Sequence, residues 1–122
     1  MLNPNGFSRG ERLRGRTPVN LLFESGKNSS MTAFPVRAVF RENEERLNRI
    51  LVSVPKRHLH HAVDRNRVKR QIREAYRLNK TLLSEGSHLD IAFLWLTGKT
   101  IESAEVVERI TVLLQKINER FQ

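Results

Sequence analysis

The sequence predicts an α+β fold in one domain spanning residues 1–122, and three observations predict it. Residues 34–41 and 49–56 alternate apolar with other side chains at a period of two, residues 64–77 and 102–120 repeat apolar positions at helical spacing, and residues 91–96 are apolar throughout. Strands and helices therefore interleave along a chain of 122 residues, a length that buries about two-thirds of the unfolded surface in one core. There is no internal repeat, low-complexity tract or composition break to divide it.

In chain order, residues 1–10 hold Pro4, Gly6 and Gly10 among Asn and Ser and read as an irregular arm. Thr17 as N-cap with Pro18 in the first turn predicts a short helix from Pro18 to Glu24, stopped by Ser25-Gly26, with Val19, Leu22 and Phe23 on one face. From Phe34 to Arg41, residues Phe34, Val36, Ala38 and Phe40 point one way and Pro35, Arg37, Val39 and Arg41 the other. That is a half-buried strand, and Pro35 marks an edge or a bulge. Glu42 to Asn48 is a polar turn. Arg49 to Lys56 then returns as a second strand, with Ile50, Val52 and Val54 opposite Leu51, Ser53 and Pro55.

The run Ile91 to Leu96 reads as a strand buried on both faces, with Trp95 in the core and Thr97-Gly98-Lys99 as its end. Glu102 to Arg120 closes the chain as an amphipathic helix over the sheet, with Val106, Ile110, Leu113, Ile117 and Phe121 inward. Its acidic residues favour the first turns, where the helix dipole stabilises them.

The stretch Asp64 to Arg77 contains no Gly or Pro and places Val68, Ile72, Ala75 and Tyr76 on one side of a helix starting between His60 and Asp64. Asn66, Arg67, Lys69, Arg70, Arg73 and Arg77 fan over the other side, and only Asp64 and Glu74 interrupt the cations. An ordinary solvated helix alternates charge signs to gain pairs one turn apart. Like charges this crowded oppose folding unless a polyanion neutralises them, and guanidinium matches phosphate geometry. Nucleic acid is the partner this implies. Arg65 falls towards the apolar side and is not explained by the periodicity; Asn66 also reads as a local backbone cap.

Formal net charge is +9, and residues 1–80 hold 18 of the 22 basic residues but only 7 of the 13 acidic ones. The absence of cysteine excludes disulfides and thiolate metal sites and suits a reducing cytoplasm. No signal peptide or membrane span is read, and the narrow apolar side of the basic helix lacks the Trp or Phe of a membrane-surface helix. His58, His60 and His61 extend the cationic surface; a zinc site would need further ligands at workable spacing. With two aspartates, Asp64 and Asp90, and no metal-binding carboxylate motif or Gly-rich phosphate loop, the residues supply binding and no catalytic group.

The string Ala62-Val63-Asp64-Arg65-Asn66-Arg67-Val68-Lys69-Arg70, continued by Ile72-Arg73-Glu74 and Tyr76-Arg77, resembles the RNR signature of the protein subunit of bacterial ribonuclease P. Phe7-Ser8-Arg9 and Arg12-Leu13 are similar to the start of the same pattern, so the likeness runs from Phe7 to the C-terminus. It implies an α–β sandwich of order αβββαβα with a mixed sheet, resembling a domain of a ribosomal protein, with the basic helix in a left-handed crossover. It also implies that Arg65, Asn66, Arg67, Lys69, Arg70, Arg73 and Arg77 bind RNA, and that Phe23, Arg37, Ser53, Lys56 and Arg57 line a cleft for the single-stranded leader of precursor tRNA.

The resemblance assigns 5′-leader removal to a catalytic RNA, with Mg²⁺ bound mainly by that RNA and the protein assisting. The partners it implies are catalytic RNA and precursor tRNA, with no membrane and no small-molecule substrate. Val19 and Arg37 depart from positions where the family often has aromatics, and Trp95 lies near a position where it often has a small residue followed by Arg. A ribosomal or assembly RNA-binding protein would share charge and fold. A helix-turn-helix DNA binder fits less well, because the basic helix follows a strand.

Overall fold

The computed structural model describes residues 9–24, 28–84 and 86–121. After a 3-10 turn at Arg9–Glu11 come α1 (Arg16–Leu22), β1 (Ser29–Ala33), β2 (Val36–Glu42), β3 (Arg49–Ser53), α2 (Ala62–Asn79), a second 3-10 turn (Lys80–Leu82), β4 (Leu89–Trp95) and α3 (Ser103–Arg120). The order αβββαβα is the expected one. The strands lie β1-β2-β4-β3 in one mixed sheet: β1 with β2 and β2 with β4 are antiparallel, β4 with β3 parallel. A parallel pair needs a crossover, and α2 with the second 3-10 turn supplies it.

Alternation along each strand sorts the two faces. Val36, Ala38, Phe40, Ile50, Val52, Ile91, Phe93 and Trp95 face α2 and α3, meeting Val68, Ile72, Ala75 and Tyr76 from one helix and Val106, Ile110, Leu113, Leu114 and Ile117 from the other. The opposite face carries a smaller cluster, in which Leu13 and Leu22 pack on Val39 and Ala92. Arg12 forms a parallel bridge with Ile50, and the Leu13 N–H donates to the Ile50 carbonyl at 2.7 Å, so the N-terminal segment covers the outer edge of β3.

The differences from expectation include three boundaries and one side chain. The first helix begins at Arg16, after Gly15 as N-cap with φ 96°, a left-handed turn that glycine adopts without strain. The strand expected from Phe34 begins at Val36; Phe34 and Pro35 form the β1–β2 turn, which leaves Phe34 64% exposed instead of inward. The next strand stops at Ser53, short of Lys56. Phe121, expected inward, follows α3 partly exposed, with its ring edge-on to Phe40. The residues themselves gave no strand over Ser29–Ala33, which only the resemblance required. The arm over residues 1–8, with Phe7, and the helix stop at Ser25-Gly26 lie outside the described residues.

Candidate nucleic-acid interface

The basic helix α2 begins after N-cap His61 and carries no side-chain cap, but Asp64 in its first turn complements the helix dipole. Val68, Ile72, Ala75 and Tyr76 are buried as the periodicity requires, and Gln71 joins them. Asn66, Arg67 and Arg70 are exposed, whereas Lys69, Arg73 and Arg77 are half-buried along the side that turns towards the N-terminal segment. Arg12, Asn66, Arg70, Arg73, Glu74 and Arg77 line one open groove, so Arg12 joins the predicted set from a different element.

Arg65 has a different job from its neighbours. Its guanidinium donates to the Leu59 carbonyl at 2.9 Å and the His60 carbonyl at 2.7 Å, pinning the loop between β3 and α2 to the helix start. This explains why it lies on the apolar side. Close by, Gly98 approaches the His58 carbonyl so tightly that a Cβ there would stand 3.0 Å from the oxygen.

Cations of this chain fall into two electrostatic settings. Lys80 reaches Glu11 at 2.8 Å and ties the first 3-10 turn to the end of α2. Arg77 pairs with exposed Glu74, whose carboxyl is held below the usual range chiefly by that hydrogen bond. No ion pair to Arg67, Lys69, Arg70 or Arg73 exists among the described residues. Burial, and then the charge of Arg12, push the Arg73 guanidinium below its ordinary pKa, a strain that a bridging anion relieves.

The residues expected to line a leader cleft fall in a second, discontinuous group. Register sets Thr32, Arg37, Leu94 and Ser53 in one row across the open sheet face. Arg37 and Ser53 thus flank Leu94, and the Arg37 guanidinium donates to the Ser30 hydroxyl at 3.3 Å. Lys56 and Arg57 are exposed just beyond the end of β3. Phe23 is the C-cap of α1 and 43% exposed. The end of α1 is anchored by Arg41, whose guanidinium donates to the Leu21 carbonyl. Arg41 lies four residues along β2 from Arg37, about 13 Å at strand rise. Val19 is half-buried against the smaller cluster, a packing position.

The family model described as Ribonuclease P matches residues 7–118, most of the chain and every element except the last two residues of α3. The chain belongs to the Ribonuclease P family. The Ribonuclease P protein component of Porphyromonas gingivalis is 46% identical over 83 residues, 66% of this chain and 59% of that protein. This chain therefore matches under two-thirds of that relative's length. The namesake from Chlorobium phaeobacteroides is 34% identical over 132 residues, 95% of this chain and 90% of that protein.

Among solved structures, the RNase P protein of Thermotoga maritima superposes with TM-score 0.74 at 26% identity, covering 87% of this chain and 96% of that one. The Staphylococcus aureus protein, at 21% identity and TM-score 0.74 over 92% of this chain and 98% of that one, shows the same fold. In the sequence Arg12 stands out only as part of the family pattern. What makes it a groove residue is its bridge to Ile50, a contact across the fold that local spacing does not reveal.

Proposed function

We propose that this chain is the RNA-binding protein component of a ribonuclease P that removes the 5′ leader from precursor tRNA. The carrying observation is that Arg67, Lys69, Arg70 and Arg73 gather on one side of α2 with no carboxylate partner among the described residues, in a chain of the Ribonuclease P family. In this reading the α2 cations and Arg12 dock on the catalytic RNA. Arg37, Ser53, Lys56, Arg57 and Phe23 hold the single-stranded leader, Phe23 by stacking and Arg37 by stacking or phosphate contact. Cations between two polyanions lower their mutual repulsion and let the RNAs approach.

Bond breaking we assign to the RNA, with Mg²⁺ bound mainly there. No grouping of three His, Cys, Asp or Glu that could hold a metal gathers among the described residues. Among the described residues no helix is long and apolar enough to cross a membrane; the cytoplasm, where precursor tRNA is processed in this reading, is the site of action we assign.

Reconstitution with a cognate ribonuclease P RNA at low Mg²⁺ tests the reading. Protein should accelerate precursor tRNA cleavage by the RNA, and the protein alone should cut nothing. No rate gain, with tight binding to ribosomal RNA instead, would turn the reading towards a ribosomal or assembly protein. In the same assay Phe23→Ala should weaken binding of precursors bearing a leader about fivefold or more, the worth of one base stack, and leave mature tRNA unaffected. Equal losses for both would put Phe23 outside the leader path.

A further inference from the structure

On the α3 side of α2, Val63, Arg67, Arg70, Gln71 and Glu74 form a groove with Ser103 at the start of α3. Gln71 is only 9% exposed, and its Nε2 donates to the Ile101 carbonyl at 3.0 Å and the Ser103 hydroxyl at 3.1 Å. Its Oε1 is buried and meets no donor among the described residues. Exchanging the two ends of the amide would set Oε1 against the Ile101 carbonyl oxygen, so the orientation is fixed and the unmet acceptor is real. An acceptor left in this state costs stability that a ligand donor restores. The groove also presents the Glu74 carboxylate, kept ionised by Arg77, the two cations Arg67 and Arg70, and a Val63 side chain 79% exposed.

We infer that this groove binds one unstacked guanine nucleotide of RNA. This inference rests on the reading of α2 as an RNA-facing helix. Gln71 and Glu74 offer two acceptors one helical turn apart. Guanine alone among the bases presents two adjacent donors, N1–H and N2–H, on its Watson–Crick edge. Adenine and cytosine set a ring acceptor beside their amino group, which a carboxylate repels. Val63 supplies an apolar surface for the ring, and Arg67 and Arg70 take the phosphate. Oε1 is buried in this structure, so base binding must part the side chains over it; neither arginine is held by a carboxylate among the described residues, and both turn to the phosphate.

The test is an NMR titration of the isotopically labelled full chain with the 5′-monophosphates of guanosine, inosine and adenosine. The guanosine nucleotide should shift the Gln71 side-chain amide and Val63 methyl signals, binding about fivefold tighter than the adenosine one, the worth of one hydrogen bond. Inosine, which lacks the N2 donor, should fall between. Gln71→Leu should abolish this preference. Because Gln71 also bridges to Ile101 and Ser103, Glu74→Gln provides a second variant that leaves those bonds in place and should bring the guanosine-to-adenosine ratio towards one. Equal affinities of the parent for guanosine and adenosine nucleotides, or shifts confined to Arg67 and Arg70, would overturn the guanine pocket alone. Failure of the chain to bind catalytic RNA would overturn the reading beneath it.

Discussion

Arg49 lies against Asp90 with both carboxylate oxygens accepting from its guanidinium, at 2.9 and 3.0 Å, while Arg70 on α2 meets no carboxylate among the described residues. The same residue type thus serves opposite ends. Asp90 is buried and also accepts from the Asn43 amide at 2.8 Å, so the Arg49 pair locks the β2–β3 turn to the start of β4. Glu11 and Lys80 do the same between the first 3-10 turn and the end of α2; burial, and then the Glu11 charge, raise the Tyr76 phenol pKa. Arg49 and Lys80 thus each meet a buried carboxylate. On the outer side of α2 the chain leaves Arg67, Lys69, Arg70 and Arg73 unmatched, and the fold carries that repulsion.

The contrast breaks first at Asp90. Asp90→Ala leaves the mostly buried Arg49 charge and the Asn43 amide without their partner, and should cost on the order of 3 kcal/mol of unfolding free energy. Urea titration measures it. A loss no greater than that of an exposed pair would mean that the two classes of cation do not differ.

Replacing Arg67, Lys69 and Arg73 together by Ala should do the reverse. Each change should alter stability by no more than about 0.5 kcal/mol, as for surface positions, with circular dichroism unchanged. Binding to catalytic RNA should weaken, and the slope of log affinity against log salt should become shallower by roughly two, three phosphate contacts being lost. Equal salt slopes for variant and parent would reject this side of α2 as the docking surface.

What could be read in the sequence divides along the same line. The helices α2 and α3 and the strands β2 to β4 follow from spacing within one stretch, because an amphipathic face repeats wherever an element packs on a core. The cations of α2 were legible for the same reason. Everything that joins distant stretches was not: Arg12 beside Arg73, Arg49 on Asp90, Glu11 on Lys80. The strand β1 escaped because its Ser29-Ser30-Met31-Thr32-Ala33 is a polar edge strand whose inward side chains, Met31 and Ala33, are only partly buried against the core. Phe34 misled because a period of two cannot tell the last residue of a turn from the first of a strand. Arg65 projects to the apolar side to hold two backbone carbonyls, which periodicity cannot anticipate.

The smallest effect, at Glu74, refines the contrast, since its carboxylate is the one paired with a predicted RNA-binding cation among the described residues. Arg77 lowers the Glu74 pKa in the folded chain, so its stabilising contribution is present above the unfolded value, about 4.3, and lost as pH falls through the folded value. Urea midpoints of parent and Glu74→Gln should therefore differ slightly at neutral pH and converge in acid. Because Glu74 is exposed and salt screens the pair, that difference should also vanish in high salt. For an oligoadenylate, which offers no guanine edge, the same substitution should raise affinity, opposite in sign to the loss of Arg67, Lys69 and Arg73. Glu74 then acts as a brake on the cationic face. A fall in oligoadenylate affinity would show instead that its ion pair orients Arg77 for RNA.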